Sequence, residues 1–156
     1  IRSFGIAVLI ISLIMVGIFV SLRRGLVSVV PNTFPILIVF GLMGWLGFKL
    51  DTTTLMTAPI IIGVAVDDTI HFLTHYRLSL LRGSSISEAI GSTLHEVGQA
   101  IVFTTLILMS VFLCFIPVNN VGVSRFSILA LIAVLSALVT DLLLLPALCR
   151  VFKVRL

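Results

Sequence analysis

Hydrophobic positions along this chain come in long unbroken runs, without the strict alternation of a half-buried strand or the one-sided stripe of a surface helix. Five runs, at about Phe4 to Leu22, Leu26 to Phe48, Leu55 to Tyr76, Glu96 to Ile116 and Phe126 to Leu148, are long enough to cross a hydrocarbon layer. Each reads as a helix, because backbone groups in lipid must be satisfied within their own segment. Gly83-Ser84-Ser85 breaks the pattern between the third and fourth runs. Ser85-Ile86-Ser87-Glu88 then has the form of a capping box ahead of Ile86, Ala89, Ile90 and Leu94. That spacing predicts a short amphipathic helix from about Ser85 to His95, lying along the cytoplasmic surface and feeding the fourth span. Pro31 and Pro35 predict a bend in the second span, and Pro117-Val118-Asn119-Asn120 a brief outer turn before the fifth. The expected fold is all-α: a polytopic membrane helix bundle of five transmembrane helices plus one short cytoplasmic amphipathic helix, forming a single transmembrane domain over residues 1–156.

Composition agrees with the pattern. Hydrophobic residues make up 60% of the chain and charged residues 10%, with a mean hydropathy of +1.32, far from a soluble domain. The chain starts with Ile and enters a hydrophobic run almost at once, which reads as a piece of a longer protein with no cleavable leader. The formal charge of +4 does not mark a nucleic-acid surface, because the basic residues sit at helix ends instead of in one patch. Arg23, Arg24, Arg77, Arg82, Arg150, Lys153 and Arg155 fall on one side, against Arg2, Lys49 and Arg125 on the other. The positive-inside rule therefore expects the amino end outside and the carboxyl end in the cytoplasm. That orientation separates Cys114 and Cys149 across the membrane and excludes a disulfide between them.

The candidate chemistry lies in the third run. Asp67 and Asp68 are adjacent carboxylates within an apolar span, where an ionised Asp costs about 2.5 to 3.5 kcal/mol on insertion scales. Such residues face a protein interior or a wet path, and Gly63, Asp67, His71 and His75 share one helical face at i, i+4 spacing. Taking up a proton is the alternative to staying charged there. Asp67 and Asp68 are thus candidate protonation sites, with His71 as a hydrogen-bond partner of Asp67. A metal on Asp67, His71 and His75 is disfavoured, since further ligands are lacking at that depth, and no cofactor is expected.

Other runs carry polar groups to a similar depth. Asp67 lies nine residues before Tyr76, Asp141 nine before Arg150, and Thr104 and Thr105 eight and nine after Glu96. With Asn32 near the start of the second run, these residues could form one layer about 12 Å above the cytoplasmic boundary. The reading turns the Gly63, Asp67 and His71 face toward the fourth and fifth helices, where Thr104, Thr105 and Asp141 would shield it. Thr and Ser can bond back to their own helices instead, and Asp141 suits a helix-holding role as well as an ion-handling one. Gly41, Gly44 and Gly63 are candidate close-packing positions.

The stretch Gly-Val-Ala-Val-Asp-Asp-Thr-Ile-His-Phe-Leu-Thr-His-Tyr-Arg, residues 63–77, resembles the Asp-bearing helix of the resistance-nodulation-division (RND) superfamily, in the Patched-like and MMPL-like branch of hydrophobe and lipid exporters. Val-Pro-Asn-Thr-Phe-Pro-Ile-Leu (30–37) is similar to the start of the preceding helix, and Asp-Leu-Leu-Leu-Leu-Pro-Ala-Leu (141–148) to the last helix of a half. The resemblance implies helices two to six of one half of a duplicated transporter, more like a carboxyl-terminal half. It further implies proton-driven export from the bacterial inner membrane, a periplasmic amino end and proton-relay carboxylates at Asp67 and Asp68. The implied partners are the bilayer, the other half with its periplasmic domains, a hydrophobic or lipid substrate and, compatibly, further copies in a homo-oligomer. No Lys or Arg lies within the membrane layer, so a counter-charge would come from the other half or be replaced by protonation.

Two alternatives differ in class. The same block resembles a sterol-sensing domain, which would make it a lipid-sensing module. Asp67 and Asp141 at matching depth, with Pro-Ala-Leu at 146–148, raise an intramembrane aspartyl protease, but Val-Ala-Val-Asp and Val-Thr-Asp do not match the Gly-x-Gly-Asp and Tyr-Asp contexts of such enzymes.

Overall fold

The computed structural model describes residues 22–48 and 52–152, and these are helical with no strand among them. In chain order they form α1 (Leu22–Trp45), α2 (Thr52–Leu81), α3 (Ile86–Phe115), α4 (Val121–Val139), a π-helical turn (Thr140–Leu144) and α5 (Leu145–Val151). The expected first span lies outside the described residues. Among those described, Ile86–Phe115 and the continuous stretch Val121–Val151 are long and apolar enough to cross a membrane, and Val29–Trp45 is a shorter apolar helix. With its 30 residues α2 reaches about 45 Å, but it carries the carboxylate pair.

The ends of the helices follow from local chemistry. In α1 the Gly47 N–H donates to the Gly44 carbonyl and Phe48 N–H to Met43; in α2 Gly83 N–H donates to Leu80 and Ser84 N–H to Ser79. Both are Schellman closures, and they require Gly47 and Gly83 at φ of 65° and 92°, where a side chain would be strained. The Ser85–Glu88 capping box is present: Glu88 N–H donates to Ser85 Oγ, and Ser85 N–H to Glu88 Oε2 at 2.8 Å. Asn120 caps α4, its Oδ1 accepting from Gly122 and Val123.

The short surface helix expected at Ser85 to His95 is not a separate element. It is the first third of α3, which runs unbroken from Ile86 to Phe115. Once the box has nucleated the helix, extension costs less than stopping and starting again, and Gly91 alone does not break it. Helix α1 likewise continues through Pro31 and Pro35.

Helices α2 and α4 pack together at the centre, and each also contacts both α1 and α3, which flank the pair. Two apolar clusters hold the arrangement. One joins Phe72, Leu73 and Tyr76 of α2 to Ala89 of α3 and to Leu145 and Cys149 of α5. The other joins Val39 and Met43 of α1 to Leu129 and Ala133 of α4. Much of the remaining surface is apolar, including Phe103, Leu106 and Ile107 on α3 and Leu143 on the π turn. Lipid serves such a surface as well as a core does.

Candidate functional site

Consecutive residues on a helix differ by about 100° in direction, so Asp67, Asp68 and Thr69 divide the two sides of α2 between them. The side chain of Asp67 is 74% exposed and that of His71 71% exposed. Asp68 retains 9% of its surface and Thr69 is fully buried. The expected orientation is therefore corrected: the Gly63, Asp67 and His71 face points away from α3 and α4, and the face after it enters the bundle. His71 Nε2 lies 3.7 Å from Asp67 Oδ1, close enough for an ion pair and too far for a hydrogen bond.

Inside the bundle, Thr69 Oγ1 is 3.0 Å from Asn32 Oδ1 on α1 and 2.9 Å from Asp141 Oδ1 on the π turn. Three elements thus meet at one hydroxyl. Asp141 keeps only 1% of its surface, and its Oδ2 is buried without a hydrogen-bond partner. Along the chain this polar triad separates the two apolar clusters: Asp141 lies between Ala133 and Leu145, and Thr69 just precedes Phe72.

The π turn sets the position of Asp141. Leu145 N–H donates to Thr140, five residues back, in place of the usual four. Pro146 explains the widening: it has no N–H for the Leu142 carbonyl and its ring would crowd that oxygen in a regular turn.

Of the expected layer, Asn32 and Asp141 are brought together, and Thr105 is buried on α3. Thr104 is not part of it, because it points outward and its hydroxyl bonds back to the Ile101 carbonyl at 3.0 Å. Among the described residues the expected packing glycines meet no neighbour: nothing there lies within 4 Å of a Cβ built at Gly41, Gly44 or Gly63, whereas one at Gly98 would sit 3.4 Å from Leu142 Cδ2 on the π turn.

Two features escaped the sequence reading. Thr69 was hidden by its acidic neighbours, although a hydroxyl on the side of α2 opposite Asp67 was a signal. A second polar seam joins α2 to the first third of α3, with His75 Nδ1 3.1 Å from Thr93 Oγ1 and Nε2 3.0 Å from Glu96 Oε2. Thr93 gives its own hydrogen to the Ala89 carbonyl, so Nδ1 is the donor in the first contact. Ser79 and Ser92 extend the seam. Among the described residues no three His, Cys, Asp or Glu side chains gather as a metal site would need.

The profile of the AcrB/AcrD/AcrF family matches residues 2–153, nearly the whole chain. The chain belongs to the AcrB/AcrD/AcrF family. It is thereby a member of the RND superfamily. It is 28% identical over 149 residues to the hopanoid transporter HpnN of Burkholderia multivorans, covering 95% of this chain and 17% of that protein. It is 27% identical over 145 residues to the multidrug resistance protein MdtC of Escherichia coli, covering 89% of this chain and 14% of MdtC. It is 28% identical over 139 residues to the putative membrane protein MJ1562 of Methanocaldococcus jannaschii, covering 86% of this chain and 36% of that one. This AcrB/AcrD/AcrF-family chain thus spans a minor part of the length of these relatives. The membrane-protein relative and the apolar helices agree on a membrane location.

Proposed function

We propose that this chain is half of the membrane domain of a proton-driven RND-type exporter of lipids or other hydrophobic or amphiphilic molecules, with Asp67 and Asp68 as its proton relay. The exposure of Asp67 beside His71 carries the reading. A carboxylate in the middle of a membrane-length helix is not left against lipid, so the Gly63, Asp67 and His71 face belongs to a wet path or to further protein. The other half of the parent transporter supplies that cover. On this reading Asp67 takes up and releases the transported proton, Asp68 lies a third of a turn further into the bundle, and His71 passes the proton toward the cytoplasm.

Protonation removes a charge from the seam between the halves and changes which packing has the lower free energy, as an alternating exporter requires. HpnN, named a hopanoid transporter, supports a lipid-like substrate, and MdtC, named for multidrug resistance, supports export of amphiphiles. The parent protein lies in a bacterial inner membrane, with residue 1 toward the periplasm and residue 156 toward the cytoplasm.

The test is Asp67→Asn in the full-length protein, reconstituted in vesicles under an imposed proton gradient. The side chain keeps its shape and cannot cycle a proton. Normal insertion with transport abolished is the expected result; wild-type transport that still responds to the gradient would sink the proposal.

A further inference from the structure

The triad at Thr69 has one hydrogen too few as its oxygens are arranged. Two contacts of hydrogen-bond length, 3.0 Å to Asn32 Oδ1 and 2.9 Å to Asp141 Oδ1, converge on one hydroxyl. Thr69 can donate once, an amide oxygen cannot donate, and an ionised carboxylate cannot donate either. Two arrangements supply the second hydrogen without leaving a buried O–H unpaired at Oδ2. In the first, Asp141 is a carboxylic acid whose Oδ1–H donates to Thr69, and Thr69 donates to Asn32 Oδ1. In the second, the Asn32 amide is turned by 180° about its last torsion. Its Nδ2–H then donates to Thr69, which donates to an ionised Asp141.

The other oxygen of Asp141 decides between them. Oδ2 is buried and has no hydrogen-bond partner. In the ionised arrangement it carries part of a negative charge with no donor; in the acid it is a neutral carbonyl oxygen, which is far less costly to bury unpaired. Among the described residues nothing basic compensates. The ion pairs among the described residues involve His71 and His75 with Asp67 and Glu96, not Asp141. From α2 the acid turned into the bundle beside Thr69 is Asp68. From α1 it meets the uncharged Asn32 by way of Thr69. From α3 the π turn receives Gly98, and α5 adds the Cys149 thiol within the apolar cluster that includes Tyr76.

We propose that Asp141 is a second proton-carrying site of this membrane domain, on the side of α2 opposite Asp67, and that loss of its proton is coupled to reversal of the Asn32 amide through the Thr69 hydroxyl. The proton balance is simple. The acid form holds one transferable proton on Asp141 Oδ1. When it leaves, the Thr69 hydrogen turns from Asn32 to Asp141, and Asn32 presents its NH2 group to the oxygen so vacated. No bond between heavy atoms is made or broken. The device links α1, α2 and the π turn, so its two states favour different packing of three elements. Its use in transport rests on the exporter reading; its existence does not.

Infrared spectroscopy of the full-length protein in membranes tests it. The expected result is a carboxylic-acid C=O band at neutral pH that is lost in Asp141→Asn, kept in Asp67→Asn and in Asp68→Asn, and displaced in Thr69→Val. Loss of only a carboxylate band in Asp141→Asn, or loss of the acid band in Asp68→Asn instead, overturns the proposal. Should Asp141→Asn fail to assemble, an acid band unmoved by Thr69→Val overturns it as well. No transport is read, so failure here is separable from failure of the Asp67 relay.

Discussion

Asp67 and Asp68 are adjacent in sequence and face different surroundings: the first projects from the bundle beside His71, and the second is turned inward on the side that carries Thr69. Their substitutions should therefore separate. Asp67→Asn is expected to leave the thermal stability of the half-bundle contacts unchanged. Asp68→Asn is expected to raise it by a small amount, on the order of 1 kcal/mol, by removing an acid turned into the bundle. Thermal unfolding of the full-length variants in detergent reads both, and the opposite ranking would contradict the placement.

Gly98 is the glycine whose missing side chain matters. Its space toward Leu142 admits a methyl group at ordinary contact and little more. Gly98→Ala should be neutral or stabilise by up to about 1 kcal/mol through helix propensity. Gly98→Ile should destabilise by about 1–3 kcal/mol through overpacking against the π turn.

The start of α3 depends on Ser85 and Glu88. Ser85→Ala should cost about 1 kcal/mol of local helix stability. The hydrogen bonds from Ser85 hold the Glu88 carboxyl below its usual value. For a depressed folded-state value, the stabilisation is present above the unfolded value and is lost as pH falls through the folded one. Acidification should thus fray residues 86–89 first, below the ordinary carboxylate range. Hydrogen exchange at the Glu88 and Ala89 amides reports it, and exchange that does not change on acidification would refute it.

The His75–Glu96 contact is partly exposed, with Glu96 64% open to solvent. Pairs of this kind are worth about 0–1 kcal/mol. Glu96→Gln should change stability by less than about 1 kcal/mol while loosening the first third of α3 from α2, seen as faster exchange near Thr93. A larger loss of global stability would mean that the seam carries more than its geometry indicates.

Much of the architecture was legible because membrane crossing imposes a length and a polarity on each segment. The capping box at Ser85, the turn at Asn120 and the common depth of Asn32 and Asp141 all followed from spacing. The inward face of α2 did not. In a soluble helix the apolar face is the buried one, but here lipid is as apolar as the core and both polar sides of α2 are usable. Spacing says that Gly63, Asp67 and His71 share a face; it does not say which neighbour they face. The π turn was also hidden, since its trace in the sequence is one proline, Pro146, five residues beyond Asp141.

A helix that carries one residue more than its period has a place where it can lose one. The widened turn at Thr140–Leu144 takes up that extra residue, and Leu143 within it is 69% exposed. Removing Leu143 together with Pro146→Ala, which takes away the ring and restores an N–H, would let the turn close to the ordinary α-helical width, with Leu145 and Cys149 still directed at Phe72 and Tyr76. A one-residue deletion elsewhere in α4 or α5 would turn everything beyond it by about 100°. Tolerance to shortening should accordingly be confined to this one turn of the last helix, beside the carboxyl group that the extra residue positions.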